Sequence, residues 1–372
     1  MNSYLRKMLK QKRKNRIFIG VLALGTILAT SCGNSESQSN SSDSFEGQTL
    51  TVANWKDYGS DISWAVAQFE EETGAKVVHQ YFNSEEELLQ LLRDGGVGKV
   101  DVALPNLAYV QPAITDDLLE KIDTSKLKNY SELDENLKQH PDLKSDGNIY
   151  GVPWMWGSTG LAFNTETPPA DAEKWSSLWN PSNKGKVAFF DDVTTAIMTT
   201  ALYIGEDPYN PDLAKIKESL IELKNNSKIF WASADDWTKG FATGQITSGN
   251  LWSGLAGTEI GRGQPLKYVI PDQGAVGWLD SWAIVKNAPN KELAYKWIDY
   301  MTSAEFQQKW AEDTERSSPA PANLVATKAI SKETAQRIGA VAEWLPKLTL
   351  QKSLPAETMK EWTKLWEEVK AG

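Results

Sequence analysis

The feature that most constrains this chain is a regular alternation of strand-like and helix-like segments, which begins at residue 49. LTVANW and AKVVHQYF have the composition of strands, and DISWAVAQFEEETG between them has the apolar spacing of an amphipathic helix. A second helix, with Ser84 and Glu87 as its capping box, leads to a third strand, KVDVALP. Strands that alternate with helices form a parallel sheet, so we expect an α/β fold with its ligand site at the carboxyl ends of the strands.

A second α/β segment begins after residues 148–164, IYGVPWMWGSTGLAFN. It has strand candidates in KVAFFDD, QITSGNLWSG and PLKYVIP, and helix candidates from about Thr194 and in DLAKIKESLIELKNN. The strand GWLDSWAI and one long helix, ELAYKWIDYMTSAEFQQKWAED, follow it. A chain of 372 residues is long enough for two domains.

The N-terminus has the pattern of a lipoprotein signal peptide. Basic residues precede an apolar run at residues 17–29, which has the length of a signal-peptide core and is too short to cross a membrane as a helix. The run ends in LATSCG, which resembles a bacterial lipobox around Cys32. We expect residues 1–31 to be removed, Cys32 to carry lipid, and the Ser/Asn-rich residues 32–47 to form a flexible tether. The body would then be an extracytoplasmic, membrane-anchored lipoprotein of the periplasm or cell surface.

Composition excludes several classes of function. One cysteine and two histidines rule out a disulfide framework and a thiolate or histidine metal site, so we expect no metal. The chain has no phosphate loop, no dinucleotide fingerprint and no G-x-S-x-G elbow, so we expect no cofactor and no enzyme. A net charge of −10 argues against a nucleic-acid partner and mildly favours cationic ligands.

Aromatic and acidic residues provide the better lead. The chain has 16 tryptophans, and in GWLDSWAI an extended backbone would place Trp278, Asp280 and Trp282 on one face. A carboxylate beside indole rings is costly unless something pairs with it. An organic cation would suit such a site, since each ring–cation contact contributes about 0.5 to 2 kcal/mol. We expect Trp282 and Trp297 to belong to the core.

Further candidates lie where strands end. Trp55 and Tyr58 follow the first strand, and Asn106 follows the third. Trp252 and Asp192 are of the same aromatic and acidic kind. Each has a structural alternative: Trp252 as a core residue, and Asp192 as the cap of the helix after it.

The segments TVANWKDY, KVDVALPNLAYV, WSSLWNPSNKGKV to FFDD, and GWLDSWAI together resemble the spermidine/putrescine-binding subunits of bacterial ABC importers, in order over about residues 49 to 325. The resemblance implies a two-lobed periplasmic-binding-protein fold, in which each lobe is a sheet flanked by helices. It also implies a ligand cleft between the lobes, hinge crossings, and delivery of the ligand by a monomer to membrane permease subunits. We expect residues 48–152 plus 280–320 in one lobe and 153–279 plus 321–372 in the other.

The resemblance also assigns site residues. Asp280 matches the family's amine-binding acid, and the other positions that match ligand contacts are Trp55, Tyr58, Asn106, Asp192, Thr195, Trp252 and Trp278. Several positions depart from the family. Its serine and tyrosine after the third strand are Asn106 and Ala108 here, its second amine-binding glutamate is Thr195, its tyrosine near PAPAN is Ser318, and a glutamine falls on Leu345.

These departures leave the ligand open. A polyamine such as putrescine or spermidine is the leading interpretation. The alternatives are a shorter diamine, a quaternary amine, or a zwitterion whose carboxylate meets Arg316. A sugar-binding or carbohydrate-active surface lipoprotein is the alternative from a different class, because tryptophan also stacks on pyranose rings.

Overall fold

A computed structural model describes residues 44–314, 316, 318–341 and 343–372. The expected signal peptide, Cys32 and most of the expected tether therefore lie outside the described residues. Within the described ranges, no helix has the length and apolar character needed to cross a membrane.

The strands alternate with helices along the chain. They are β1 Thr49–Trp55, β2 Lys76–Phe82, β3 Val102–Ala103, β4 Lys144–Ser145, β5 Asn148–Ile149, β6 Val152–Asn164, β7 Val187–Phe190, β8 Ser227–Trp231, β9 Ser248–Trp252, β10 Leu266–Val269, β11 Ala275–Ile284, β12 Ala320–Pro321 and β13 Leu348–Leu350.

The helices vary from single turns to sixteen residues. The α-helices are α1 Ser63–Thr73, α2 Glu85–Leu91, α3 Leu107–Thr115, α4 Glu135–Lys138, α5 Ser176–Trp179, α6 Val193–Ile204, α7 Leu213–Asn226, α8 Ala234–Ala242, α9 Ser253–Gly261, α10 Lys291–Met301, α11 Ala304–Ala311, α12 Leu324–Ala329, α13 Lys332–Ile338 and α14 Ala356–Ala371. A π-type turn, Leu92–Gly96, continues α2, and the 3₁₀ turns are Thr124–Lys126, Lys128–Glu132, Pro141–Leu143, Pro181–Asn183 and Leu345–Lys347.

Two parallel ladders are joined by two long antiparallel strands. The strand order is β2-β1-β3-β11-β6-β9-β7-β8. β1 pairs in parallel with β2 and β3, and β7 pairs in parallel with β8 and β9. The expected parallel sheet therefore holds within each ladder, whereas β11 is antiparallel to both β3 and β6.

Strand β11 belongs to both halves of this sheet. Its end, Ala283 and Ile284, pairs with β3, while the stretch from Val276 to Trp282 pairs with β6. The register shifts between Asp280 and Ser281, where the partner residues change from Met155 to Pro153. Trp154 is thus an extra residue of a β-bulge, a feature that re-aims side chains next to it.

The buried residues form separate cores that match these two halves. The first core draws on residues 45–156 and 279–340. The second half holds two clusters, one from residues 161–276 and 362–369 and one from residues 162–266. Trp282 and Trp297 are fully buried in the first core, which confirms the expectation for both. The first core extends beyond residue 320, because Ile330, Ile338 and Ala340 pack in it.

Two local predictions need correction. The long helix expected after β11 is two helices, because the Ser303 side chain accepts a hydrogen bond from the Phe306 backbone and starts α11. The capping box of α2 is also incomplete. Ser84 accepts from the Glu87 backbone as predicted, but the Glu87 carboxylate accepts from the Asn83 N–H at 2.7 Å instead of that of Ser84.

Candidate functional site

Asp280 lies at the junction of the two halves of the sheet. Its side chain is 7% exposed, and both carboxylate oxygens accept hydrogen bonds from other segments. The Tyr58 hydroxyl donates to Oδ2 at 2.8 Å, and the Asn106 amide donates to Oδ1 at 3.0 Å. Tyr58, Asn106 and Asp280, all predicted site residues, are therefore brought into direct contact.

Burial dominates the electrostatics of this cluster. It raises the pKa of Asp280 to about 6, and the hydrogen bonds from Tyr58 and Asn106 limit the rise because they favour the ionised form. Burial, and then the negative charge of Asp280, raises the pKa of Tyr58 well above its ordinary value, so the phenol remains a donor. The site presents a buried, ionisable carboxylate.

This pKa predicts a pH dependence of stability. Between about pH 4 and pH 6 the unfolded chain ionises Asp280 before the folded chain does, so stability is lost as the pH rises through this window. We expect the free energy of unfolding, measured relative to that of Asp280→Asn, to fall by about 2 kcal/mol between pH 4 and pH 6.5. Urea unfolding of both proteins at several pH values measures this difference, and a flat difference across the window would contradict the prediction.

The loop that carries Trp55 and Tyr58 is held by a residue that sequence reasoning missed. Asn54 is fully buried, and its amide donates to the Tyr58 carbonyl at 3.0 Å and to the Ser60 hydroxyl at 2.6 Å. Its Oδ1 accepts from the Trp55 N–H at 2.7 Å. An asparagine at the end of a strand is a weak signal by itself, because local sequence does not show that it is buried.

The Tyr58 ring packs against two tryptophan rings. Its ring meets Trp154 edge-on with 5.5 Å between centroids, and Trp310 with 5.8 Å. Gly59 has a φ of +74°, and a Cβ there would lie 2.4 Å from the Trp310 ring. Only glycine therefore allows this loop to pack so closely on Trp310.

Asn106 has two roles at the start of α3. Its Oδ1 accepts from the Ala108 N–H at 3.1 Å and caps the helix, which fixes the amide orientation. The Nδ2 group must then point the other way, toward Asp280. Asn106 thus donates a hydrogen bond to the Asp280 carboxylate. The spermidine/putrescine-binding subunits have serine at this position.

The indole of Trp278 lies on the backbone of β6. A Cβ built on Gly157, its partner in the ladder, would lie 2.2 Å from the Trp278 ring. The Trp278 Nε1 is buried and has no hydrogen-bond partner among the described residues. Its indole N–H is therefore a spare donor close to Asp280 in the chain.

We expect Gly157→Ala to displace Trp278, because the added methyl group occupies the space of the ring. Such overpacking should lower the free energy of unfolding by about 1 to 3 kcal/mol and change the tryptophan fluorescence. Gly254→Ala is the matched control, since a Cβ there meets its nearest neighbour at 3.6 Å. Equal stability of the two variants would show that the Trp278 ring is free to move.

Asp192 and Thr195 lie at the N-terminus of α6. Asp192 caps α6 by accepting from the Thr195 backbone N–H at 2.7 Å, so the capping role considered for Asp192 is confirmed. Burial raises the pKa of Asp192, and nearby Glu86 of α2 adds to the rise. Asp192 therefore lies close enough to the first half of the chain to sense a charge on it.

Trp252 and Trp55 each pack against neighbours in their own half. Trp252 is half-buried and contacts Phe190 and Trp231, with 4.9 Å between ring centroids in both pairs. Trp55 meets Phe82 edge-on at 4.9 Å. Trp55 ends β1, as predicted, and Trp252 ends β9, but neither side chain forms a hydrogen bond with Asp280.

Arg316 does not lie in the buried cluster. Its side chain is 55% exposed, and its Nη1 atom lies 3.8 Å from Oδ1 of Asp57. An exposed pair of this kind contributes little to stability. Arg316 therefore lies at the protein surface, where it pairs with Asp57 in the loop after β1.

Glu85 is a second residue that sequence reasoning missed. It is the first residue of α2 and only 8% exposed, whereas Glu86 and Glu87 beside it are exposed. Burial, followed by the charge of Asp280, raises its pKa well above the ordinary value. The available signal is helical spacing, because Glu85 lies three, four and seven residues before the buried Leu88, Leu89 and Leu92 and therefore on their face of the helix.

Among the described residues, no group of three or more histidine, cysteine or acidic side chains is arranged to hold a metal ion. The arrangement instead offers a buried carboxylate with a hydroxyl donor from Tyr58 and an amide donor from Asn106. Chemically, it can neutralise a positive charge and shield it from water.

Comparison with known proteins identifies the family. The model of the family described as bacterial extracellular solute-binding protein matches residues 64–337. The spermidine/putrescine-binding periplasmic protein 1 of Haemophilus influenzae is 31% identical over 326 residues, which cover 85% of this chain and 88% of that protein. The spermidine/putrescine-binding periplasmic protein of Escherichia coli K12 is 29% identical over 331 residues, 88% of this chain and 89% of that protein.

A solved structure confirms the fold. The spermidine/putrescine ABC transporter substrate-binding protein of Streptococcus pneumoniae superposes with a TM-score of 0.76 at 24% identity, over 87% of this chain and 99% of that chain. At that identity the likeness speaks for the fold alone, and it confirms the expected α/β, two-lobed periplasmic-binding-protein architecture. With the family model matching most of its length, the chain belongs to the bacterial extracellular solute-binding proteins.

Proposed function

We propose that this protein is the extracytoplasmic receptor of an ABC importer and that it binds a small organic amine, with a polyamine of the putrescine or spermidine kind as its ligand. The observation that carries the proposal is Asp280, a carboxylate that is 7% exposed and held by Tyr58 and Asn106. A buried carboxylate of this kind favours a cation as its counter-charge. The names of relatives that cover most of the chain support the same ligand class.

The ligand in this proposal lies between the two halves of the sheet. Asp280 neutralises one ammonium group, and Trp278 with its spare N–H lies over the adjacent backbone. The carboxyl ends of parallel strands supply the remaining contacts, as expected for α/β sites. The proposed contacts are Trp55, Tyr58 and Asn106 from the first ladder, and Asp192, Thr195 and Trp252 from the second.

The first core forms the body of the first proposed lobe, and the two clusters of the second half form the body of the other. We retain residues 48–152 and 280–320 in the first lobe and 153–279 in the second, with β6 and β11 as the crossings. The predicted second lobe included all of 321–372, but residues up to about 340 pack in the first core, and we assign them to it. A ligand that contacts both lobes favours the closed form.

Closure predicts a change of shape in solution. We expect small-angle scattering to give a smaller radius of gyration at saturating putrescine than without it, because the lobes approach each other. Maltose at the same concentration is the control. An unchanged profile at saturation would argue against hinge closure.

The remaining parts of the proposal concern delivery. Lipid on Cys32 would keep the receptor on the outer face of the membrane, where a monomer passes its ligand to the permease subunits. Mass spectrometry of the N-terminal peptide from the producing cell tests the anchor, and an unmodified peptide that begins before Cys32 would contradict it.

A thermal-shift and calorimetry screen tests the ligand class. The probes are putrescine, spermidine, choline, 4-aminobutyrate and maltose, each added to the purified protein without its signal peptide. We expect the two polyamines to bind most tightly and to raise the melting temperature. Tighter binding of maltose would favour the sugar receptor, and tighter binding of 4-aminobutyrate would favour the zwitterion.

A further inference from the structure

Glu85 is a buried acid that is not among the proposed ligand contacts. Its side chain is more than nine-tenths buried, and its Oε2 atom has no hydrogen-bond partner among the described residues. Buried polar atoms are nearly always paired with protein or water, so an acceptor left open in this way needs an explanation.

The surroundings of Glu85 connect it to Asp280. The Asn106 backbone N–H and the Trp55 indole N–H face its carboxyl group, and the charges of Asp280 and Glu86 act on it. Tyr58 senses the charge of Glu85 as well as that of Asp280.

Farther out, Tyr109 of α3 faces the same group of acids. It donates a hydrogen bond to Glu86, and the charges of Asp192 and Glu85 also act on it. Within the described residues, no salt bridge joins Glu85 to a lysine or arginine. Its unpaired oxygen therefore belongs to the acidic side of the candidate site.

We propose that Glu85 is a second ligand-binding acid, whose Oε2 accepts an N–H of the same ammonium group that Asp280 neutralises. This inference rests on the proposed function and narrows its ligand class. The ammonium must carry N–H groups, so it is primary or secondary. A quaternary nitrogen has no N–H and would leave Oε2 buried without a partner.

The hydrogen-bond count supports this assignment. Asp280 already accepts one hydrogen bond at each oxygen, from Tyr58 and Asn106. A primary ammonium has three N–H donors, more than the remaining lone pairs of one such carboxylate accept in good geometry. A second carboxylate with an open oxygen supplies the missing acceptor.

The burial of two neighbouring acids links ligand binding to the loss of a proton. Two carboxylates that share a site do not both ionise readily, and burial, followed by the charge of Asp280, raises the pKa of Glu85 above its ordinary value. The positive charge of a bound ammonium favours the ionised carboxylate, so a proton held on Glu85 leaves to the buffer when the carboxylate pairs with the ammonium. Binding should therefore release a proton.

The test is calorimetry on the body without its signal peptide, with putrescine and its hexamethyl bis-quaternary analogue as probes. We expect the wild-type protein to bind putrescine at least tenfold more tightly than the analogue. Titration in phosphate and in Tris, which differ in ionisation enthalpy, should show release of a fraction of a proton per putrescine at pH 7.5.

Variants locate the effect. Glu85→Gln keeps the shape of the side chain and should lower putrescine affinity at least tenfold, with less proton release. Glu71→Gln removes the same charge from an exposed position on α1 and should change neither. Wild-type affinity and proton release in Glu85→Gln would overturn the inference and leave the proposed function standing.

The comparison of the two probes needs no variant, so the inference stays testable if Glu85→Gln does not fold. Equal wild-type affinity for putrescine and its quaternary analogue would overturn it. Failure of the wild-type protein to bind either amine would overturn the proposed function itself.

Discussion

Asp280→Asn is expected to weaken putrescine binding about thirtyfold, which corresponds to about 2 kcal/mol. The substitution removes the charge that attracts the ammonium but keeps the shape of the side chain. The new amide oxygen can accept from Asn106, whose orientation is fixed by its cap on α3. The Tyr58 hydroxyl can then rotate and accept from the new NH₂ group.

The fold should therefore survive this change. Above pH 6.5 the variant should be at least as stable as the wild-type protein, because a buried charge has been removed. Calorimetry gives the affinity and urea unfolding gives the stability. Asp272→Asn removes the same charge from an exposed loop and should bind putrescine as the wild type does. Full-strength binding by Asp280→Asn, together with lower stability, would make Asp280 a structural residue.

Trp154→Ala is expected to lower the free energy of unfolding by about 3 to 5 kcal/mol, the largest stability effect that we predict. The indole is fully buried at the β-bulge, and its Nε1 donates to the Met301 carbonyl at 2.9 Å. It stacks on Trp310 with 5.2 Å between centroids and packs against Trp282 at 5.1 Å. Its loss would leave a cavity between segments that are far apart in the chain.

The same substitution should also weaken amine binding, since Tyr58 rests on the Trp154 ring. Urea unfolding and calorimetry measure the two effects. Tyr81→Ala is the control, because the Tyr81 side chain is 43% exposed and its removal should cost less than about 1 kcal/mol. A loss of less than about 1 kcal/mol in Trp154→Ala would show that the core around the bulge closes over the cavity.

The local elements were accessible to sequence reasoning because their causes are local. The apolar spacing of residues 61–74 and Gly74 predicted α1, and Gly74 ends that helix in the left-handed conformation. The caps at Ser84 and Asp192 likewise bind backbone groups within three residues. Where the prediction failed, as at the break before α11, two short polar residues interrupted an otherwise continuous pattern.

The sequence by itself determined the α/β class, the positions of most strands and helices, and a short set of aromatic and acidic candidates that includes Asp280. The tertiary structure decided which of them meet. Tyr58 and Asn106, the hydrogen-bond partners of Asp280, are 222 and 174 residues away from it in the chain. Glu85 becomes a candidate only through its burial near Asp280, which depends on how α2 packs. Local patterns reflect the preferences of neighbouring residues. Burial and long-range hydrogen bonds depend on how the strands are ordered and on the register in which β11 and β6 pair.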